Sequence, residues 1–483
     1  MGKLIATFFF ALLIWQIYRW TRDDEDPTST ALWLPTFWLF IGSSRNVSEW
    51  LHMSSGGAER YTEGSPLDRI VLTVAIALGL IVLTRRAPAV RQLLGSNIPI
   101  LMYFAYCLIS VLWSDFPLVA AKRWFRASGD IIMILIVLTD PSWVSAVKRV
   151  LTRLGILLIP LSILFSRWYP QFGRQFSHAG EPYWSGVTEE KNALGSICMV
   201  YGLAFIYYSL QIYRHDHGPR RKARLVGHGI VIGMAVYLLI QSRSATALAS
   251  FVLAAIPMIL TFRYRAARKP VIVHAMVWGA LGTAACVLFL GVGSGMLTDM
   301  GRNSTLTGRT AVWQAALSLA ESPMVGTGFE SFWLGARYNR MAELTGMYLN
   351  QAHNGFLETY INLGWIGVIL LSLILLTGYN RLVKSIDRMA SAASLGLAFF
   401  MVTISVNFTE ASFGMAGPIW MCFLMTTMAL PIALRSGELV PSAFDSDKGV
   451  EADEREKRPR IPTLVRRRVA RSDLRKLPEP TRR

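Results

Sequence analysis

The chain has 483 residues, 53% of them hydrophobic, with 15 Trp and a mean hydropathy of +0.38. Only 17% are charged, low for a soluble protein of this length, and the apolar residues fall in blocks of roughly 17–23, the length that crosses a hydrocarbon core of about 30 Å. The formal net charge is +18, but Lys and Arg gather in alternate loops, so the excess reads as a topology signal and not as a nucleic-acid surface.

A span in lipid must satisfy its own backbone polar groups, which makes helices the default, and nothing here alternates like a β-barrel. The expected fold is all-α and polytopic, with about 12–13 transmembrane helices. In chain order the apolar segments are Leu4–Tyr18, Ala31–Gly42, Ile70–Leu83, Ile98–Trp113, Ile131–Leu138, Leu151–Phe165, Leu194–Ile212, Val226–Ile240, Ala245–Phe262, Val271–Val292, Phe356–Thr377, Ser394–Phe408 and Ile419–Leu434. The first resembles a signal-peptide core but runs into Arg19-Trp20-Thr21-Arg22 without a small-residue cleavage site, so it reads as a retained anchor. The second is short enough to be re-entrant. The fifth spans only by including Trp124–Asp130, which puts Arg126 and Asp130 in or near the membrane.

The basic loops around Arg85/Arg86/Arg91, Lys148/Arg149/Arg153, Arg220/Arg221/Lys222, Arg263/Arg265/Arg268 and Arg381/Lys384/Arg388 are expected on the cytoplasmic side. The loops between them then face outward, and the largest runs from Ser294 to Asn354. The resulting organisation is an N-terminal anchor and connector over 1–30, a polytopic domain over 31–434 that includes the 294–354 loop, and a basic, disordered cytoplasmic tail over 435–483. Cys107, Cys198, Cys286 and Cys422 all sit in apolar segments, with no spacing for zinc and no disulfide frame. There is no Walker loop and no dinucleotide fingerprint.

The polar residues worth weighing all fall on the outward side, where no ATP is available. Chemistry there needs a donor that carries its own leaving group, such as a lipid pyrophosphate, and an arginine fork suits phosphate oxygens. Arg243 lies in Ser242-Arg243-Ser244 between two spans; it reads as a functional intramembrane charge or as a snorkelling helix-end arginine. Arg309 opens a short helix over Thr310–Ala320, either as an anion ligand or as a surface residue. His353 precedes Asn354-Gly355 at the start of a span, and reads as a structural histidine or as a base for an acceptor hydroxyl. Glu358 follows at i+5, which is not a metal-ligand spacing. No catalytic metal and no cofactor is expected. Arg123, Arg126, Arg167, Arg302, Lys191 and Glu358 are further candidates for substrate contact, since a basic outer surface attracts a pyrophosphate or an acidic glycan. Interfacial anchoring is the competing reading for Arg123 and Arg167.

Three stretches carry a family resemblance. Gly308-Arg309-x-x-x-Trp313, Ser322-Pro323-x-x-Gly326-x-Gly328-Phe329 and Ala352-His353-Asn354-Gly355-Phe356-Leu357-Glu358, followed by Gly364 and Gly367, resemble the O-antigen ligase and Wzy-type polysaccharide polymerase superfamily. Ser242-Arg243-Ser244 fits the same pattern. Trp113-Ser114-Asp115-x-Pro117 and Ser44-Arg45-x-Val47-Ser48-x-Trp50 look like its exopolysaccharide (succinoglycan-type) branch. The resemblance implies a GT-C-like, metal-independent membrane glycosyltransferase of the bacterial inner membrane with a periplasmic site. Its donor would be an undecaprenyl-pyrophosphate-linked glycan, with a second glycan as acceptor. Membrane lipid, a flippase and a chain-length regulator are the expected partners. Arg243 and Arg309 would hold the pyrophosphate, and His353 would activate the acceptor hydroxyl. Polymerisation of repeat units into exopolysaccharide is the leading expectation. Ligation of a finished glycan to lipid A core, or transport of a lipid-linked sugar, are the rivals.

Overall fold

The computed structural model describes residues 1–22, 28–53, 64–176, 180, 182–289, 307–413 and 417–430. Arg302, the 290–306 part of the large loop and the 435–483 tail lie outside them. Each of the thirteen expected apolar segments is mostly helical over its described residues. Eight helices among the described residues are long and apolar enough to cross a membrane. A ninth span results if Ala87–Gly95 and Ile98–Trp113, bent by 91° at a short break, count as one. Thr30–Ser43, Ala392–Asn407 and Pro418–Met428 are apolar but shorter. The chain is a multi-pass, all-α membrane protein. The one departure among the described residues is a small antiparallel hairpin, Arg174–Phe176 with Pro182–Trp184.

The core is built around the helix Lys191–His215, whose apolar window is 72% buried within the protein. It packs on Arg221–Gln241, Trp143–Trp168 and Ala245–Arg263, and the last of these lies along Ala390–Asn407. Small residues let these helices approach: a Cβ at Gly195 would sit 2.6 Å from Ala247 Cβ. The helix Pro117–Leu138 runs unbroken through Arg123, Arg126 and Asp130, as the fifth segment requires. Asp130 is buried, and its Oδ1 accepts from Trp38 Nε1 (2.6 Å).

The helix Gly355–Ser385 breaks at Gly364, whose φ of 63° and ψ of −167° are not helical. A break inside a span frees backbone groups that lipid cannot satisfy, so protein must do so. The segment 323–328 of the large loop lies in the break and supplies the partners. Thr327 N donates to Ile361 O (3.1 Å) and Gly328 N to Asn362 O (2.9 Å), while Trp365 N and Ile366 N donate to Pro323 O and Met324 O (2.9 and 3.2 Å). A Cβ at Gly364 would stand 2.3 Å from the Met324 backbone, and one at Gly326 (φ 70°) would stand 2.4 Å from Leu363 N. The glycines of the loop motif and of the span therefore belong to one backbone-to-backbone joint.

Candidate active site

Among its described residues, two helices carry the loop: Thr307–Ser318, close to the expected Thr310–Ala320, and Gly335–Thr345, where no helix is expected from the sequence. Val312, Ala315 and Ala316 of the first pack with Phe332, Trp333, Met341, Ala352 and Ile361 into a satellite core. One turn below Arg309, Trp313 donates through Nε1 to Ala352 O (2.8 Å) and so fixes the residue before His353. Asn354 caps the helix Gly355–Ser385, its Oδ1 accepting from Phe356 N and Leu357 N. Gly355 is required by approach alone, since a Cβ there would lie 1.8 Å from Asn407 Oδ1.

The upstream motif clasps the same loop. Trp113 Nε1 donates to Val325 O (3.3 Å), Ser114 Oγ meets Ser331 Oγ (2.7 Å), and Asp115 accepts from Arg337. Tyr106 adds a bond to Leu363 O beside the helix break (3.0 Å).

What this framework assembles is a cluster centred on Glu410, which the sequence reading did not single out. Glu410 Oε1 accepts from Arg309 Nη2 (2.9 Å) and from Asn192 Nδ2 (2.8 Å), and Oε2 lies 3.2 Å from His353 Nδ1. Asn192 Oδ1 accepts in turn from Ser244 Oγ (2.9 Å), one residue from Arg243. Glu410 follows the helix Ala390–Asn407 directly, and Asn407 fixes the turn through a reciprocal pair of bonds to Ser412. Its side chain is 14% exposed, against 23% for Arg309 and 29% for His353, so the three face an opening without being loose in solvent. Burial, and then the Glu410 charge, push the neighbouring Glu190 carboxyl above its ordinary value, while His353 pulls it back.

The backbone marks the same place. His52, Arg243, Glu330 and His353 are the non-glycine residues with positive φ among the described residues. Arg243 (52°) and His353 (49°) belong to this cluster, and such strain persists where surrounding structure imposes it.

The other sequence candidates divide. Arg309 and His353 meet on Glu410, and Arg243 adjoins their network, exposed between buried Ser242 and Ser244. Lys191 opens the helix beside Asn192, with Nζ 5.7 Å from the Tyr183 ring centre. Arg126 lines a cavity described below, and Arg123 donates to the backbone oxygen of Glu330. Arg167 is exposed at a helix end, away from the cluster's contacts. Glu358 lines the same cavity, but its oxygens accept from Trp333 Nε1 (2.7 Å), Ala352 N (2.8 Å) and Asn362 Nδ2 (2.9 Å), which makes it a brace for the loop and for the approach to His353. Arg45, from the branch motif, donates to Phe172 O and Thr188 O and ties two connecting segments together.

The arrangement offers a histidine whose Nδ1–H is held by a carboxylate, leaving Nε2 as the acceptor. Beside it stands an arginine with one donor committed to Glu410 and its other N–H groups unpaired among the described residues. This pairing suits proton abstraction next to stabilisation of a phosphate-like charge. No group of three or more His, Cys, Asp or Glu among the described residues is placed to hold a metal ion.

Residues 228–372 match the O-antigen ligase family, a stretch that contains Arg243, Arg309, His353 and both sides of the joint at Gly364. The chain is also 26% identical over 305 residues to the exopolysaccharide production protein ExoQ of Rhizobium meliloti (strain 1021), a match over 60% of this chain and 66% of that protein, just under two thirds of its length. The motifs, the helical architecture and both similarities agree: residues 228–372 match the O-antigen ligase family, and the chain is similar to a protein of exopolysaccharide production.

Proposed function

We propose that the protein is a membrane glycosyltransferase that joins undecaprenyl-pyrophosphate-linked repeat units into exopolysaccharide at the periplasmic face of the inner membrane. The observation that carries this reading is the bridge from Arg309 through Glu410 to His353, with Arg243 one residue from the same network. The basic loops on the opposite side support the orientation.

In the proposed step an acceptor sugar hydroxyl attacks the anomeric carbon of the donor glycan. The new bond is C–O; the bond that breaks joins the anomeric carbon to a pyrophosphate oxygen, which leaves with the electron pair. The hydroxyl proton passes to His353 Nε2, and Glu410 stabilises the imidazolium through Nδ1–H. Arg309 and Arg243 stabilise the charge that grows on the departing lipid pyrophosphate. Base assistance of this kind contributes about 10²–10⁴-fold. The site requires no metal in this scheme. A flippase that delivers the donor and a chain-length regulator are the partners it implies.

Surface polysaccharide from a deletion strain tests the reading. Single repeat units are expected in place of polymer, restored by the wild-type gene but not by Arg243→Ala, Arg309→Ala or His353→Ala proteins that still reach the membrane. Near-normal polymer from all three variants would remove the site assignment. The description of the matched family favours a second reading, ligation, which predicts long unattached chains instead.

A further inference from the structure

A cavity of about 470 Å³ opens beside the Glu410 cluster, among helices 33–43, 98–109, 117–138, 191–215, 355–385 and 418–428. Its lining includes Gln351 and Gly355 on either side of His353, Ala411 next to Glu410, and Ala193 next to Asn192. We propose that this cavity is the subsite for the acceptor glycan, that its ligand is an uncharged saccharide, and that Glu330 binds the sugar's hydroxyl groups. The proposal rests on the transfer reading above and deepens it.

Glu330 is aimed by its backbone. Phe329 N donates to Ser110 Oγ (3.0 Å), Ser331 N and Phe332 N both donate to Asn362 Oδ1 (2.9 and 3.1 Å), and Arg123 donates to Glu330 O. Held from both sides, Glu330 adopts a φ of 52°, a conformation costly for a residue with a side chain. Glu330 lines the cavity, where Arg123 and Arg126 are the charges that act on its carboxylate. Burial pushes its carboxyl above the ordinary value, and Arg123 and Arg126 only partly offset this. A strained, half-buried carboxylate at a cavity wall, whose desolvation two arginines do not fully offset, is arranged for a ligand and not for stability.

The wall identifies the ligand class. Glu330 and Arg126 stand with the amide of Gln351, the hydroxyls of Ser196 and Ser412, and the ring of Trp420. A sugar ring presents hydroxyls that both donate and accept, and apolar faces that pack on aromatic rings; this lining meets both demands. A lipid tail would leave these polar groups unpaired. A pyrophosphate would meet Glu330, Glu358 and Asp130 against Arg126, an excess of acid over base. The donor's charge therefore belongs at Arg309 and Arg243, and the cavity takes the partner whose hydroxyl faces His353. At this volume there is room for about two sugar rings, within the roughly 300–1,000 Å³ typical of small-ligand sites.

Calorimetry on full-length protein in nanodiscs tests the subsite, with lipid-free oligosaccharides released from the producing cell's own exopolysaccharide as the probe. Wild type should bind them, Glu330→Gln should weaken binding about tenfold or more, and undecaprenyl pyrophosphate should bind both proteins alike. Gln351→Ala, on another part of the wall, should weaken the oligosaccharide in the same selective way and serves if Glu330→Gln does not fold. His353→Ala should abolish transfer yet leave oligosaccharide binding intact, so failure of the transfer reading and failure of the subsite are distinguishable. Unchanged oligosaccharide affinity in both wall variants, or a loss confined to the pyrophosphate lipid, would overturn the proposal.

Discussion

Glu410 is the single charged residue between Arg388 and Arg435, and that isolation was its only trace in the sequence. Weighing each polar residue by its neighbours along the chain favoured Arg309 and His353, which stand in glycine-rich motifs, and passed over a lone glutamate whose partners come from 57, 101 and 218 residues away. An isolated charge at the end of an apolar helix needs a counter-charge, and Arg309 supplies it. In the proposed mechanism Glu410 is a positioning residue. Glu410→Gln should slow transfer by about 10–100-fold and shift the pH–rate profile of the histidine, with little change in apparent donor affinity. A profile identical to wild type would show that the carboxylate only braces Arg309. Glu330 gives a second test. Its carboxyl titrates higher when folded than when unfolded, so the folded state holds the proton more tightly. The stabilisation is complete below the ordinary value of 4.5 and is lost as pH rises through the folded-state pKa. Glu330→Gln should therefore unfold at a higher temperature than wild type at alkaline pH, with the gap closing as pH falls towards 4.5. Thermal scans in detergent would show a gap independent of pH if burial did not raise this group.

Among the elements, the joint between the large loop and the broken helix decides whether the site exists. The sequence showed its parts, Gly326, Gly328 and Gly364, as turn residues and as a glycine within a span. It did not show that they face one another, because a backbone-to-backbone contact leaves no periodic pattern to read. For the same reason Phe356–Thr377 read as one continuous span, whereas the helix 355–385 breaks at Gly364. Trp113-Ser114-Asp115 was legible as a motif but not as a clasp, since its partners lie 212 to 222 residues away. Gly364→Ala combines a disfavoured φ with a Cβ against the Met324 backbone, and should destabilise the protein by more than about 1 kcal/mol and abolish polymer. Trp113→Phe removes one hydrogen bond, worth about 1 kcal/mol, and should leave partial activity. Polymer yield and detergent melting temperatures of the two variants check the order; equal, mild effects would mean that the loop does not depend on the joint.

At the scale of the whole molecule, hydropathy read the helices of the bundle well, because lipid imposes one rule on every span. The thirteen apolar segments are mostly helical where described, while among the described residues fewer helices qualify as full spans, since several are short or bent. The polar cavity was the least legible feature. Its lining comes from residues scattered between Gly42 and Trp420, each ordinary in its own segment. Charged groups within the bundle, Arg126 and Asp130 among them, line this cavity beside the proposed transfer site, so they support a buried glycan subsite as readily as a transport path. The most direct measurement is chain extension by purified full-length protein in liposomes, supplied with undecaprenyl-pyrophosphate-linked repeat units, with EDTA present and no ion gradient. The wild-type protein should produce a ladder of longer lipid-linked glycans, and Arg309→Ala and His353→Ala proteins none. A wild-type ladder that requires a gradient or a divalent metal, or an undiminished ladder from either variant, would contradict the account.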